Sequence, residues 1–107
     1  MAWLLRQGEV LASLEVGAPG CRRAVFRREP LVGALLVTSS RRVHTIGARG
    51  PLDVAYLDAE LVVRSMTRMA PNRVALPHRR CSAVLHAEAG AFERWKLRPG
   101  DHLEIEE

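Results

Sequence analysis

Turn-forming residues cut this chain into short apolar runs, and none of those runs is long enough for a substantial helix. Gly8, the Gly17-Ala18-Pro19-Gly20 break, Pro30, Ser39-Ser40-Arg41-Arg42, Gly50-Pro51, Asp58-Ala59-Glu60, Pro71-Asn72, Pro77, Gly90 and Pro99-Gly100 mark the interruptions. Between them lie β-prone segments of roughly four to eight residues, the length and composition of strands. Residues 2–6 and 10–16 read as a hairpin, because Gly8 supplies the positive φ of a tight turn. Residues 32–38 (VGALLVT) read as a buried strand, and 81–88 (CSAVLHAE) as another. Leu52–Leu57 should be a buried strand antiparallel to Leu61–Thr67, joined at Asp58-Ala59-Glu60. Residues 70–80 carry two prolines and suit an irregular or edge segment. In the last strand, 102–106, Leu103 and Ile105 should point inward and Glu104 and Glu106 outward.

Two short helices complete the reading. Residues 21–29 place Cys21, Ala24, Val25 and Arg28 at helical spacing before Pro30. Residues 89–97 set Phe92 and Trp95 on one face. At that spacing these two rings, with Trp3, are expected to anchor a core rather than line a pocket. The fold class that follows is α+β, mainly β. It is a small, strongly curved sheet or partly closed β-barrel with one or two short helices, whose closure protects the edges of so many short strands. At 107 residues, positions 1–107 are expected to form a single domain.

The N-terminus has only a four-residue apolar run before Arg6, too short for a signal peptide, and no run could span a bilayer. The expected location is the cytoplasm. Cys21 and Cys81 should then be reduced thiols, and without a Cys-x-x-Cys no zinc site is expected. A net charge of +4 and four arginine pairs (22–23, 27–28, 41–42 and 79–80) suggest a polyanion. Yet Lys96 is the only lysine, a bias that a genome's composition produces, and no aromatic residue interleaves with the pairs. Nucleic acid is therefore not the expected partner and is kept as a third reading.

The chemistry-bearing stretch is VHTIGARGPLDVAYLD, residues 43–58. His44, Thr45, Arg49 and Asp53 are the candidate ligand or partner contacts: an imidazole, a hydroxyl, a guanidinium that forks onto anions, and a carboxylate. The same residues have a structural reading. Thr45 can bond backbone, Arg49 can pair with Asp53 or Asp58, and Gly47 and Pro51 shape a loop-to-strand turn. Asp58, Gly90, Gly100 and Asp101 are expected to serve turns, with the Asp101 carboxylate capping nearby N–H groups.

This stretch resembles the signature of the family called domain of unknown function 192, which runs roughly His-Thr-Phe-Gly-Met-Arg-Phe-Pro-Ile-Asp before an apolar strand ending in Asp. His44, Thr45, Gly47, Arg49, Pro51, Asp53 and Asp58 match it. AVLHAEAG resembles the family's strand leading into an Ala-Gly helix start, and LRPGDHLEI its closing Gly-Asp turn and strand. The resemblance covers nearly the whole chain and implies a compact β-barrel-like fold with a helix or two, and no activity. The chain departs from the pattern at Ile46, Ala48 and Gly50, where larger apolar groups are usual, and at His86, where glutamate is common.

Three functions are thus expected to compete. The first is a non-catalytic binding or accessory module acting through His44, Arg49 and Asp53 on another protein or a small anionic ligand. The second is a small hydrolase or metal-dependent enzyme using His44 and Asp53, with His86 or His102 as further ligands. The third is the nucleic-acid binder. The first reading calls for no cofactor and no metal.

Overall fold

The structure, a computed structural model, describes residues 2–17, 33–38, 43–45, 48–75 and 81–107. Seven strands and one helix follow in chain order: β1 (Ala2–Arg6), β2 (Glu9–Gly17), β3 (Ala34–Thr38), β4 (Leu52–Leu57), β5 (Val63–Met69), β6 (Ala83–Glu88), α1 (Ala91–Trp95) and β7 (Leu103–Glu106). The segment read as a helix at 21–29, Cys21, Gly47 and all four arginine pairs lie outside the described residues.

The strands form one sheet in the order β5-β4-β6-β3-β2-β1-β7. All neighbours are antiparallel except β2 and β3, which run parallel. The sheet curls until its two edges meet at one end. There Val63 N–H donates to the Asp101 carbonyl (2.9 Å), Gly100 N–H to the Val63 carbonyl (2.7 Å) and Leu103 N–H to the Leu61 carbonyl (3.0 Å). The result is a half-barrel, mainly β, in which closure satisfies backbone groups that an open edge would expose.

Local chemistry accounts for the elements. Gln7 (φ 52°) and Gly8 (φ 79°) both take positive φ, the two-residue turn whose twist matches a hairpin, and join β1 to β2 as expected. The expected pair Leu52–Leu57 and Leu61–Thr67 is present as β4 and β5, with β5 beginning at Val63 because Leu61 sits at φ 64°. The expected helix over 89–97 is shorter. Gly90 at its start and Lys96 at its end are both left-handed, which leaves a single turn between them.

Two clusters of buried side chains use opposite faces of the sheet. Ala55 and Leu57 of β4 join Leu4, Leu14, Leu36, Leu85 and Leu103 inside the curl, where Phe92 and Leu97 close the opening. Leu52, Val54 and Tyr56 face the other way, with Leu35, Val43, Met69, Cys81 and Val84. Because β4 is buried on both faces, its sequence reads as a continuous apolar run instead of alternating. Trp3, expected in the core, is instead 40% exposed: its neighbour Leu4 points inward, so the pleat turns Trp3 outward. Gly33, at φ +76°, lies so close to β2 that an added Cβ would stand 2.6 Å from the Ser13 carbonyl oxygen. Only glycine fits there.

Candidate functional site

Thr45 is fully buried and ties the loop around residues 43–50 to the segment after β5. Its hydroxyl donates to the Ala70 carbonyl (2.6 Å) and accepts from Arg73 N–H (3.0 Å). Its backbone adds bonds from Thr45 N–H to Arg73 O (2.8 Å) and from Asn72 N–H to Thr45 O (2.8 Å). Thr45 is therefore a clamp, and it bonds a segment about 25 residues away (|i−j| = 25 for Ala70) instead of its own backbone. His44, bridged to Val74, and Arg49 are exposed on this clamped loop. Beneath it, Val43 and Ala48 pack onto the second core cluster.

Asp53 belongs to the other face. It is 4% exposed, and its carboxylate accepts from Arg68 Nε (3.0 Å), Gly90 N–H (3.0 Å) and Phe92 N–H (3.2 Å). Gly90 has no side chain with which to cap α1, so Asp53 supplies the cap from the neighbouring strand β4. The strand alternation that sends Leu52 and Val54 to the second cluster sends Asp53 toward α1. The sheet thus separates Asp53 from His44 and Arg49, and an acid–base pair of His44 with Asp53 has no common site. Pro51 is exposed and leads into β4.

The other turn residues do what their chemistry suggests. Asp58 accepts from Val62 N–H (3.0 Å), Glu60 N–H (2.9 Å) and Arg64 Nε (2.9 Å). The Val62 N–H, then that of Glu60, with the Arg64 guanidinium hold its carboxyl below the ordinary carboxylate range. Asp101 accepts from Arg98 N–H (2.9 Å) and from Arg6 Nη1 (3.1 Å). Gly100 takes φ 96° at that turn. Arg68 and Arg64 are thus the partners of the two carboxylates that the sequence offered to Arg49.

His86 is buried between Leu35 and Val54 on neighbouring strands. Burial pushes its imidazole down to about 4, and nearby His44 adds to the shift. Among the described residues its Nδ1 has no hydrogen-bond partner. Among the described residues, no three His, Cys, Asp or Glu side chains gather as metal ligands, and His102 lies apart, bridged to Val62. Cys81 is buried, and its thiol donates to the Ala83 carbonyl (3.1 Å).

One further feature was not legible as a site. An open groove of about 480 Å³ runs between β5 and α1, above Asp53. Met66, Phe92 and Leu97 form its apolar floor. Arg68, Lys96 and Arg98 line it with two acids, the exposed Glu93 and the buried Asp53. Arg68 spends only Nε on Asp53, and the Lys96 and Arg98 side-chain cations have no partner among the described residues. The one available sequence signal was the expected β4–β5 hairpin, which places Arg68 directly opposite Asp53.

A family model described as DUF192, Uncharacterized ACR, matches residues 26–105. The chain belongs to this family. Its fold recurs in solved structures. A proposed transcription regulator from Sinorhizobium meliloti 1021 superposes with a TM-score of 0.75 at 21% identity, over 97% of this chain and 91% of that one. A protein of unknown function from Novosphingobium aromaticivorans superposes with a TM-score of 0.74 at 17% identity, over 96% and 82%. At these identities the likeness is one of fold. No curated protein matches the chain. As a DUF192 member it carries the β-barrel-like fold that its His44–Asp53 signature implied. Among the described residues, no helix is long and apolar enough to cross a membrane.

Proposed function

We propose that this DUF192 chain is a non-catalytic binding module, one domain over 1–107 and cytoplasmic, whose contact surface is the groove beside Asp53. The observation that carries the reading is the combination of an apolar floor with three cations, Arg68, Lys96 and Arg98, against two acids, Glu93 and the Asp53 already bonded to Arg68. A concave site of this volume is in the range that holds small ligands or a few side chains of a partner. Its charge favours an anion, and an arginine rim can fork onto a carboxylate or phosphate. Asp53 serves this site by holding Arg68 and the start of α1 in place. His44 and Arg49, exposed on the Thr45-clamped loop, form a separate polar patch on the opposite face.

Octanoate, an apolar chain with one carboxylate, is the minimal probe. Titrated into ¹⁵N-labelled protein, it should shift the amides of Ser65–Met69 and of Ala91–Arg98. Arg98→Glu should abolish those shifts without moving the melting temperature, since Arg98 is exposed. Shifts confined to the 43–50 loop, or none at millimolar probe, would overturn the groove as the contact surface.

A further inference from the structure

The groove lies where the half-barrel stays open. Over residues 61–63 and 100–103 the seam is stitched by backbone hydrogen bonds. Beyond Val63 the stitching stops. Ser65–Met69 pair with β4 on one side, and among the described residues no backbone hydrogen bond reaches their other side. In such an edge, alternate residues present N–H and C=O outward. A free strand edge and an apolar, cationic groove therefore share one wall, β5.

We propose that the groove receives an extended acidic segment of a partner protein, which adds as an antiparallel strand to β5 along Ser65–Met69. The inference rests on the groove reading above and goes further by naming the occupant. Strand addition takes affinity from main-chain hydrogen bonds and specificity from pockets for alternate side chains. Here the alternate side chains of β5 on the groove face are Met66 and Arg68, since their β4 partners are Ala55 and Asp53. An added strand must then place an apolar side chain beside Met66 and an acidic one beside Arg68, two positions apart. In the antiparallel direction, the better-paired one, the acidic residue comes first and the apolar residue second. The residue between them points to the other face and is unconstrained.

The length is set by the same geometry. Five residues of edge span about 17 Å at roughly 3.3 Å per residue, and the stitched end at Val63 stops the strand from running further. Charge selects against the other occupant of a bare edge, a second copy of this chain. Two β5 strands would bring Arg64 and Arg68 of each together, and like charges on an edge oppose pairing. An acidic segment meets Arg68, Lys96 and Arg98 instead.

The test is a ¹⁵N titration with a threonine-rich peptide bearing one glutamate and, two positions later, one leucine. Two further peptides are N-methylated at alternate residues, in opposite phase. Strand addition uses the N–H groups of only one phase. The expected result is that the parent peptide shifts the Ser65–Met69 amides and one methylated peptide binds like it. The other should bind at least about tenfold more weakly, as should the parent peptide to Arg98→Glu. Equal binding by both methylated peptides overturns strand addition. Octanoate binding without peptide binding also overturns it and leaves the groove reading standing. If neither probe binds, both readings fall.

Discussion

Replacing Asp53 by alanine tests whether this carboxylate is a strut that positions α1 and Arg68. The side chain is buried and accepts three hydrogen bonds, two of them from Gly90 and Phe92 at the start of α1. Removing a helix cap costs about 0.5–2 kcal/mol. A second backbone donor loses a charged acceptor, a bond of about 1.5–3 kcal/mol. Arg68 contributes little beyond this, because it is half exposed and rehydrates, which places its pairing near 0.2–1 kcal/mol. These terms overlap, and the carboxylate regains hydration when the chain unfolds, so the expected loss is about 2–4 kcal/mol. Urea unfolding at pH 7 reads it as a fall in the midpoint at constant slope. Arg68→Ala should cost less than about 1 kcal/mol, since the two N–H donors still hold Asp53. In a double-mutant cycle the two should couple by no more than the pair itself. A loss below about 0.5 kcal/mol for Asp53→Ala, or a larger loss for Arg68→Ala, would refute the strut and return Asp53 to the list of surface contacts.

Three further outcomes follow from burial and backbone geometry. His86 is held neutral down to about 4 in the fold against an ordinary value near 6.5, so the unfolded chain binds the extra proton first and stability falls as pH drops through that window. Between pH 7 and 4.5 the loss should be about 2–3 kcal/mol, measured by urea melts, and His86→Leu should remove that part of the slope; an unchanged slope would contradict it. Gly33→Ala should destabilise by about 2–4 kcal/mol, from a positive φ and a collision with the Ser13 carbonyl, and a thermal melt within about 1 °C of wild type would show that β2 and β3 are farther apart. Thr45→Val should cost about 2–3 kcal/mol by leaving Ala70 O and Arg73 N–H unpaired, whereas Arg49→Ala on the same loop should stay within about 0.5 kcal/mol, and equal losses in paired melts would show the loop is not clamped at Thr45.

Much of the architecture was legible in the sequence, and what was legible is local. Gln7-Gly8 and Asp58-Ala59-Glu60 announced two hairpins because turn chemistry is written within a few residues. The parallel pairing of β2 with β3 and the meeting of β1 with β7 were not written locally. Both depend on how the whole sheet curls. The candidate site divides in the same way. The polar stretch at 43–53 was visible, but its residues serve opposite faces. Asp53 finds its donors at Gly90 and Phe92, 37 and 39 residues onward, where no spacing rule reaches. His86 looked like a spare ligand and is an interior histidine, because β6 is covered on both faces. The groove was hidden most thoroughly. Met66 reads as one more strand residue and Leu97 as the end of a helix until the curl brings them together.

The pairing of β1 with β7 also has a kinetic side. Trp3 lies opposite Glu106, so this ladder joins residues from nearly opposite ends of the sequence, whereas the two hairpins join near neighbours. Loop-closure entropy makes such distant contacts late ones, because the chain must lose its freedom before they are formed. The hairpins should therefore assemble first, and the β1–β7 ladder last. Once formed, that ladder is also the first to be lost in a partial opening, since among the described residues β7 has β1 as its only full-length neighbour. Amide exchange on β7 should then outrun exchange on β6, which has a strand on either side.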